Sequence, residues 1–225
     1  MSGLGLPDLV CDGVFRVGLP LGISFFMIFL CMLVVFQLVN LVLIRELGSE
    51  AVTQYNIALK YFNVLYSLVL IVLTPFWSAF TDAYTKKDFE WMKKVCRTLE
   101  MIWILSVAAG IIMLAAAPVA YRLLSGGQVN VPFPLSLAVL VYVLLQTIGN
   151  IYMYLINGIG TVRIQLVIYI VMALLAWPLL TYGCRLFGTL GIVLAPGICF
   201  MVQALAGRVQ IGKLMNCKAD GLWAE

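Results

Sequence analysis

The chain has 225 residues, 64% of them hydrophobic and 11% charged, with 14 Lys or Arg against 10 Asp or Glu. At a mean hydropathy of +1.07, too little polar surface remains to clothe a soluble globule, and no separate soluble domain fits. Histidine is absent, which excludes Ser/His and Cys/His nucleophiles, and no basic patch interleaved with aromatics points to nucleic acid.

Six charge-free windows follow one another: Val17 to Ile44, Tyr61 to Thr81, Met101 to Tyr121, Leu123 to Val162, Ile164 to Cys184 and Leu186 to Gly207. About 20 apolar residues at ~1.5 Å rise cross a hydrocarbon core roughly 30 Å thick, so each window can span. The runs are continuously apolar, without the dyad alternation of barrel strands, and backbone at membrane depth then has to be helical. The expected fold is an all-α polytopic membrane protein with six transmembrane helices. Residues 1–16 form a cytoplasmic segment, 17–207 the bundle and 208–225 a cytoplasmic tail.

The first span is too long for a signal-peptide core and follows Asp8 and Asp12, so it is expected to be retained. It carries Gln37 and Asn40 as an i, i+3 pair. Gly48, Ser49 and Glu50 break it from the second span, with Ser49 the expected N-cap of a helix running to about Phe80 or Asp82 and kinked at Pro75. On that helix Asn56, Lys60, Asn63, Ser67, Thr74, Ser78 and Asp82 are spaced 4, 3, 4, 7, 4 and 4 residues apart, which puts them on one stripe. A Lys inside a span costs about 2.5–3.5 kcal/mol on insertion scales, so the stripe is expected to meet protein or water. Lys60 then either faces a cavity, where its ammonium would meet an anion, or snorkels to the outer surface.

Residues 84–100 are the one strongly charged stretch, and Phe89, Met92, Val95, Cys96 and Leu99 recur at helical spacing opposite its lysines. They predict an amphipathic helix lying at the membrane surface, either as a connector touching lipid headgroups or as a lever between bundles. After the third span, Ser125 to Pro132 forms an outer loop, and a fourth span runs from near Pro134 to near Asn157. There Tyr142, Gln146, Asn150, Tyr154 and Asn157 make a second stripe, whose amides either face sugar hydroxyls in a wet cavity or join neighbouring helices. Asn157 to Thr161 turns the chain before Arg163, Leu186 to Gly191 turns it again, and Pro178 and Pro196 fall in or near the last two spans.

Basic residues near span ends are retained in the cytoplasm. With the N-terminus inside, the cytoplasmic set is Arg16, Lys86, Lys87, Lys93, Lys94, Arg97, Arg163, Arg208, Lys213 and Lys218, against Arg45, Lys60, Arg122 and Arg185 outside. Both termini are therefore expected in the cytoplasm. Cysteines 11, 31, 96, 184, 199 and 217 form no CxxC pair and read as small apolar fillers. Without paired carboxylates, a phosphate-cradling glycine loop or a nucleophile set, neither an enzyme nor a metal or other cofactor is expected.

Four runs resemble one family in their wording and order. They are Gly48 to Phe62 (GSEAVTQYNIALKYF), Leu73 to Tyr84 (LTPFWSAFTDAY) with the Lys86 to Trp91 that follows, Asn157 to Gln165 (NGIGTVRIQ) and Lys213 to Trp223 (KLMNCKADGLW). The chain resembles the C-terminal half of bacterial polysaccharide flippases, the O-antigen translocase branch of the multidrug, oligosaccharidyl-lipid and polysaccharide exporter superfamily. That resemblance implies one six-helix half-bundle of a MATE-like exporter fold in the bacterial inner membrane. It also implies alternating-access transport of lipid-linked oligosaccharide on a polyprenyl pyrophosphate carrier. Lys60, Asn56, Asn63, Ser67, Gln37, Asn40, Gln146 and Asn150 would meet the substrate, while Asp82, Asn157 and Arg163 would form a cytoplasmic gate.

Where family members often carry an acid before the counterpart of Asn40, this chain has Val39. Residues 1–15 do not resemble the family. A half-transporter needs a second six-helix half, from another chain or a second copy of itself, and glycan polymerase or glycosyltransferases are further expected partners. Two alternatives remain: a non-transporting assembly subunit of a glycan-synthesis complex, and an exporter of small amphiphilic drugs on the same fold.

Overall fold

The computed structural model describes residues 19–216, and among these all secondary structure is helical. The helices are α1 (Leu19–Thr85), α2 (Phe89–Ser125), α3 (Phe133–Ile159), α4 (Arg163–Phe187) and α5 (Thr189–Met215). All five are long and apolar enough to cross a membrane. Their outward faces carry bare apolar side chains, with Ile71, Ile112 and Leu174 each more than 70% exposed, a surface that water would not tolerate and lipid does. The chain is a helical membrane protein.

α1 is broken at Gly48, whose backbone angles (φ 86°, ψ −179°) are open to glycine and strained for any other residue. Its two limbs, 19–47 and 49–85, fold back on each other. Asn56 Nδ2 donates to Asn40 Oδ1 at 3.1 Å, whereas sixteen residues of straight helix would separate them by about 24 Å. Farther from the bend, the Phe25 and Trp77 rings still approach to 6.2 Å between centroids. The expected break is therefore present, but glycine backbone makes it: Ser49 contributes its carbonyl, which accepts from the Thr53 hydroxyl, and not a side-chain cap. The second limb runs through Pro75 without a second break.

The charged stretch is not the separate surface helix expected over 84–100. α1 continues to Thr85, Lys86 to Asp88 form the turn with Lys87 in the left-handed region, and the Asp88 carboxylate caps α2 by accepting from Trp91 N at 3.1 Å. From there α2 runs 37 residues, about 55 Å, without a break. The physical reason lies in its apolar stripe. Met92, Val95, Cys96 and Leu99 are buried with Leu73, Phe80 and Ala83 of α1 and Ile151, Leu155 and Ile156 of α3, so protein, not lipid, covers the stripe. With no glycine or proline before Gly110, nothing interrupts the helix as it passes into its charge-free part.

α3 is the most deeply buried helix and packs mainly on α5 and α1. Its bounds fall where the Pro134 and Asn157 signals put them, and Gly160 ends it in the left-handed conformation. One apolar cluster gathers Leu43, Phe62, Val139, Val143, Leu180 and Ile192 towards the Gly48 end; another gathers Leu73, Phe80, Leu99, Met153 and Leu155 towards the opposite end. The α4–α5 turn is tighter than expected, with Gly188 alone between the helices. Behind it Gly183 and Gly191 meet backbone to backbone, so closely that a Cβ on Gly191 would strike the Gly183 carbonyl. α5 also extends past Gly207 and Arg208 to Met215, so the first part of the expected tail is helix.

Two substitutions test these turns. Gly48→Ala forces a side chain into the strained region at a cost of about 1–3 kcal/mol, and thermal unfolding in detergent should fall by about 2–12 °C. Gly191→Ala should lower it as well, because the obstructing atoms are backbone and cannot rotate away.

Candidate functional site

The helical stripe on the second limb of α1 divides into groups that are satisfied by their own helix and groups that are not. The Ser67 hydroxyl donates to the Asn63 carbonyl (3.0 Å), Thr74 to Leu70 (2.8 Å) and Ser78 to Pro75 (3.3 Å). Those hydroxyl protons are spent locally, which makes Ser67, Thr74 and Ser78 cheap against any neighbour. Asp82 pairs with Lys86 one turn on, Oδ2 to Nζ 2.7 Å, with both side chains largely exposed, so the pair contributes little to stability.

Near the bend the situation differs. Asn56 is half-buried, its amide shared between Asn40 Oδ1 and the Val52 carbonyl. One turn farther from Gly48, the register that pairs Asn40 with Asn56 brings Gln37 and Lys60 to the same level on the two limbs, and both are exposed. Among the described residues no acid lies within ion-pair distance of Lys60. Asn63 follows, half-buried, with its Oδ1 enclosed and unbonded. Gln37, Asn40, Asn56, Lys60 and Asn63 thus form a polar edge on the outside of the bundle.

The second stripe lies elsewhere. Gln146 and Asn150 of α3 are buried within this chain's own bundle; Asn150 Nδ2 donates to the Tyr66 hydroxyl at 3.2 Å, and Gln146 Oε1 has no partner. Tyr142 is buried against Phe200, and Tyr154 stacks edge-on against Trp77. Asn150 thus joins α3 to α1, one of the two roles the spacing left open, while the Gln146 amide is buried without such a bond. Gln203, wholly buried on α5 and facing the Tyr169 hydroxyl of α4, belongs to the same interior. A lone Gln between apolar neighbours gave no periodic signal.

At the end opposite Gly48, the Thr81 hydroxyl donates to the Gly158 carbonyl at 2.5 Å, bringing Asp82 and Asn157 onto adjoining helix ends. Asn157 Oδ1 is enclosed without a partner, and Arg163 is exposed at the start of α4, beyond the Gly160 turn. The Gln210 amide ties this turn to α5 by donating to the Thr161 carbonyl at 3.1 Å. Asp82, Asn157 and Arg163 therefore share one end of the bundle, but Asp82 is paired to its own helix rather than across to α4.

Sequence reasoning missed a further cluster. Glu100 accepts from the Tyr152 hydroxyl (Oε1, 2.5 Å) and stands 3.9 Å from Arg208 Nη2, beside a cavity of about 290 Å³. The signal was a carboxylate one residue before one charge-free window and an arginine one residue after another, at positions 108 residues apart.

Compared with known proteins, the chain matches no family model, no curated protein and no solved structure. The flippase resemblance stands on its four residue runs alone.

The polar edge makes a labelling prediction. In a variant without native cysteines, Cys at position 60 should react rapidly with a membrane-impermeant thiol reagent if the edge is wet. Leu68→Cys and Ile71→Cys, on the apolar outer face, should stay at least about tenfold slower. Equal rates at all three positions would mean that the edge faces lipid.

Proposed function

We propose that this chain is one half of a transporter that flips lipid-linked oligosaccharide across the bacterial inner membrane. The observation that carries the reading is the polar edge: an exposed cation without an acid partner, Lys60, flanked by Gln37, the Asn40–Asn56 pair and Asn63, on the outside of a membrane bundle. Hydrocarbon would penalise that edge heavily, so it calls for a second wall. A second six-helix half, another chain or a copy of this one, would close a cavity over it.

In such a cavity the Lys60 ammonium attracts the pyrophosphate of a polyprenyl carrier, and the amides accept and donate to sugar hydroxyls. The two limbs of α1 then count as two spans, giving six in all and a MATE-like half-bundle. Eight of the twelve described Lys and Arg residues lie at the end opposite Gly48, where the first described helix begins and the last one ends, which by the positive-inside tendency is the cytoplasmic end. The family resemblance of the four residue runs agrees with this reading.

A non-transporting assembly subunit is the second reading, favoured by the locally satisfied hydroxyls of Ser67, Thr74 and Ser78, which suit a helix–helix interface. One experiment separates the two. In cells lacking the chain, Lys60→Ala should abolish surface glycan while membrane protein level is unchanged, and Lys60→Arg should restore part of it. Wild-type glycan export by Lys60→Ala, in a chain that co-purifies with a glycosyltransferase or polymerase, would support the assembly role instead.

A further inference from the structure

The cavity beside Glu100 lies away from the polar edge and has its own chemistry. Glu100, Trp103 and Ile104 of α2, Ile148 and Tyr152 of α3, and Leu205 and Arg208 of α5 line it. Glu100 Oε1 takes the Tyr152 proton, while its Oε2 has no hydrogen-bond partner among the described residues. Arg208, 3.9 Å from Glu100, is too distant for a hydrogen bond, and its side chain is 69% exposed, so most of its donors are unspent. The Trp103 indole is fixed as a wall by donating Nε1–H to the Leu144 carbonyl at 2.9 Å.

Its depth and rim identify the class of ligand. One charge-free window begins immediately after Glu100 and another ends immediately before Arg208, so the cavity straddles the boundary between the charged end of the bundle and its apolar body. Tryptophan favours that headgroup level. Ile104 and Leu205, both about 60% exposed, form an apolar rim suited to an acyl chain. At about 290 Å³ the space is at the small end of ligand pockets, room for a headgroup and too little for an oligosaccharide.

We infer that this cavity binds the headgroup of a phospholipid bearing a primary amine, such as phosphatidylethanolamine, with Glu100 accepting from the ammonium and Arg208 donating to the phosphate. Each charge meets its opposite, and Glu100 Oε2 gains the donor it lacks. A choline headgroup offers no N–H to Glu100 and brings three methyl groups into a small space. A glycerol headgroup offers Glu100 neutral hydroxyls in place of an ammonium, so the carboxylate's charge is not offset by the ligand.

The test is lipid titration of the delipidated full chain, read by native mass spectrometry, with phosphatidylethanolamine, its mono- and dimethyl derivatives, phosphatidylcholine and phosphatidylglycerol of identical acyl chains. Phosphatidylethanolamine should bind at least about threefold more tightly than phosphatidylcholine or phosphatidylglycerol, with affinity falling along the methylation series. Glu100→Gln should remove that preference, and Arg208→Gln should weaken the ethanolamine and choline lipids alike. A flat methylation series in the wild-type protein, or a preference that survives Glu100→Gln, would overturn the inference. The wild-type series needs no variant to fold.

Discussion

Hydrocarbon offers a polar group no partner, so each backbone amide and each amide side chain of this protein has to find one inside the chain or at the membrane's edge. The helices answer for the backbone. For the side chains the answers differ: Ser67 and Thr74 bond back to their own helix, Asn40 and Asn56 bond across the bend, and Asn150 bonds to Tyr66 between α3 and α1. The few groups left over are therefore informative. Among the described residues they include Lys60, Glu100 Oε2 and the enclosed oxygens of Asn63, Gln146 and Asn157, for which this chain's own interior supplies nothing.

Much of the architecture was legible because its signals are local and unambiguous. Length and continuous apolarity gave membrane-crossing helices, Gly48 marked the fold-back, and Pro134 and Asn157 bracketed α3. What stayed hidden depended on what each face would meet. The amphipathic pattern over 84–100 has the same periodicity whether its stripe lies on lipid or on α1 and α3, and only tertiary packing decides between them. Likewise Arg208 ended a charge-free window without ending a helix, since a helix leaving the membrane keeps its own hydrogen bonds and α5 continues to Met215.

The candidate site was legible in the sequence only as a pattern of spacing. Spacing put seven polar residues on one stripe, and they do share a face, but spacing carries no information on which hydroxyls are already satisfied. Local bonding reduces the stripe to the edge around Lys60. On α3 the same i, i+4 rule found Gln146 and Asn150, yet the helix that presents them is the most enclosed in the bundle. The Glu100–Tyr152–Arg208 cluster joins three helices, and no periodicity within one helix reports on such a meeting.

The α4–α5 turn has a consequence for how the bundle assembles. With one residue between the helices, closing that loop restricts the chain very little, and the contact of Gly183 on Gly191 is among the shortest-range tertiary contacts available to it. The two helices can zip together as soon as both are inserted, independently of the α1 limbs and α2. Each contributes to the cluster that α3 completes, Leu180 from α4 and Ile192 from α5. A single-residue connector thus favours docking of these nearest neighbours in sequence ahead of the long-range seam around α3, because its closure costs the chain least.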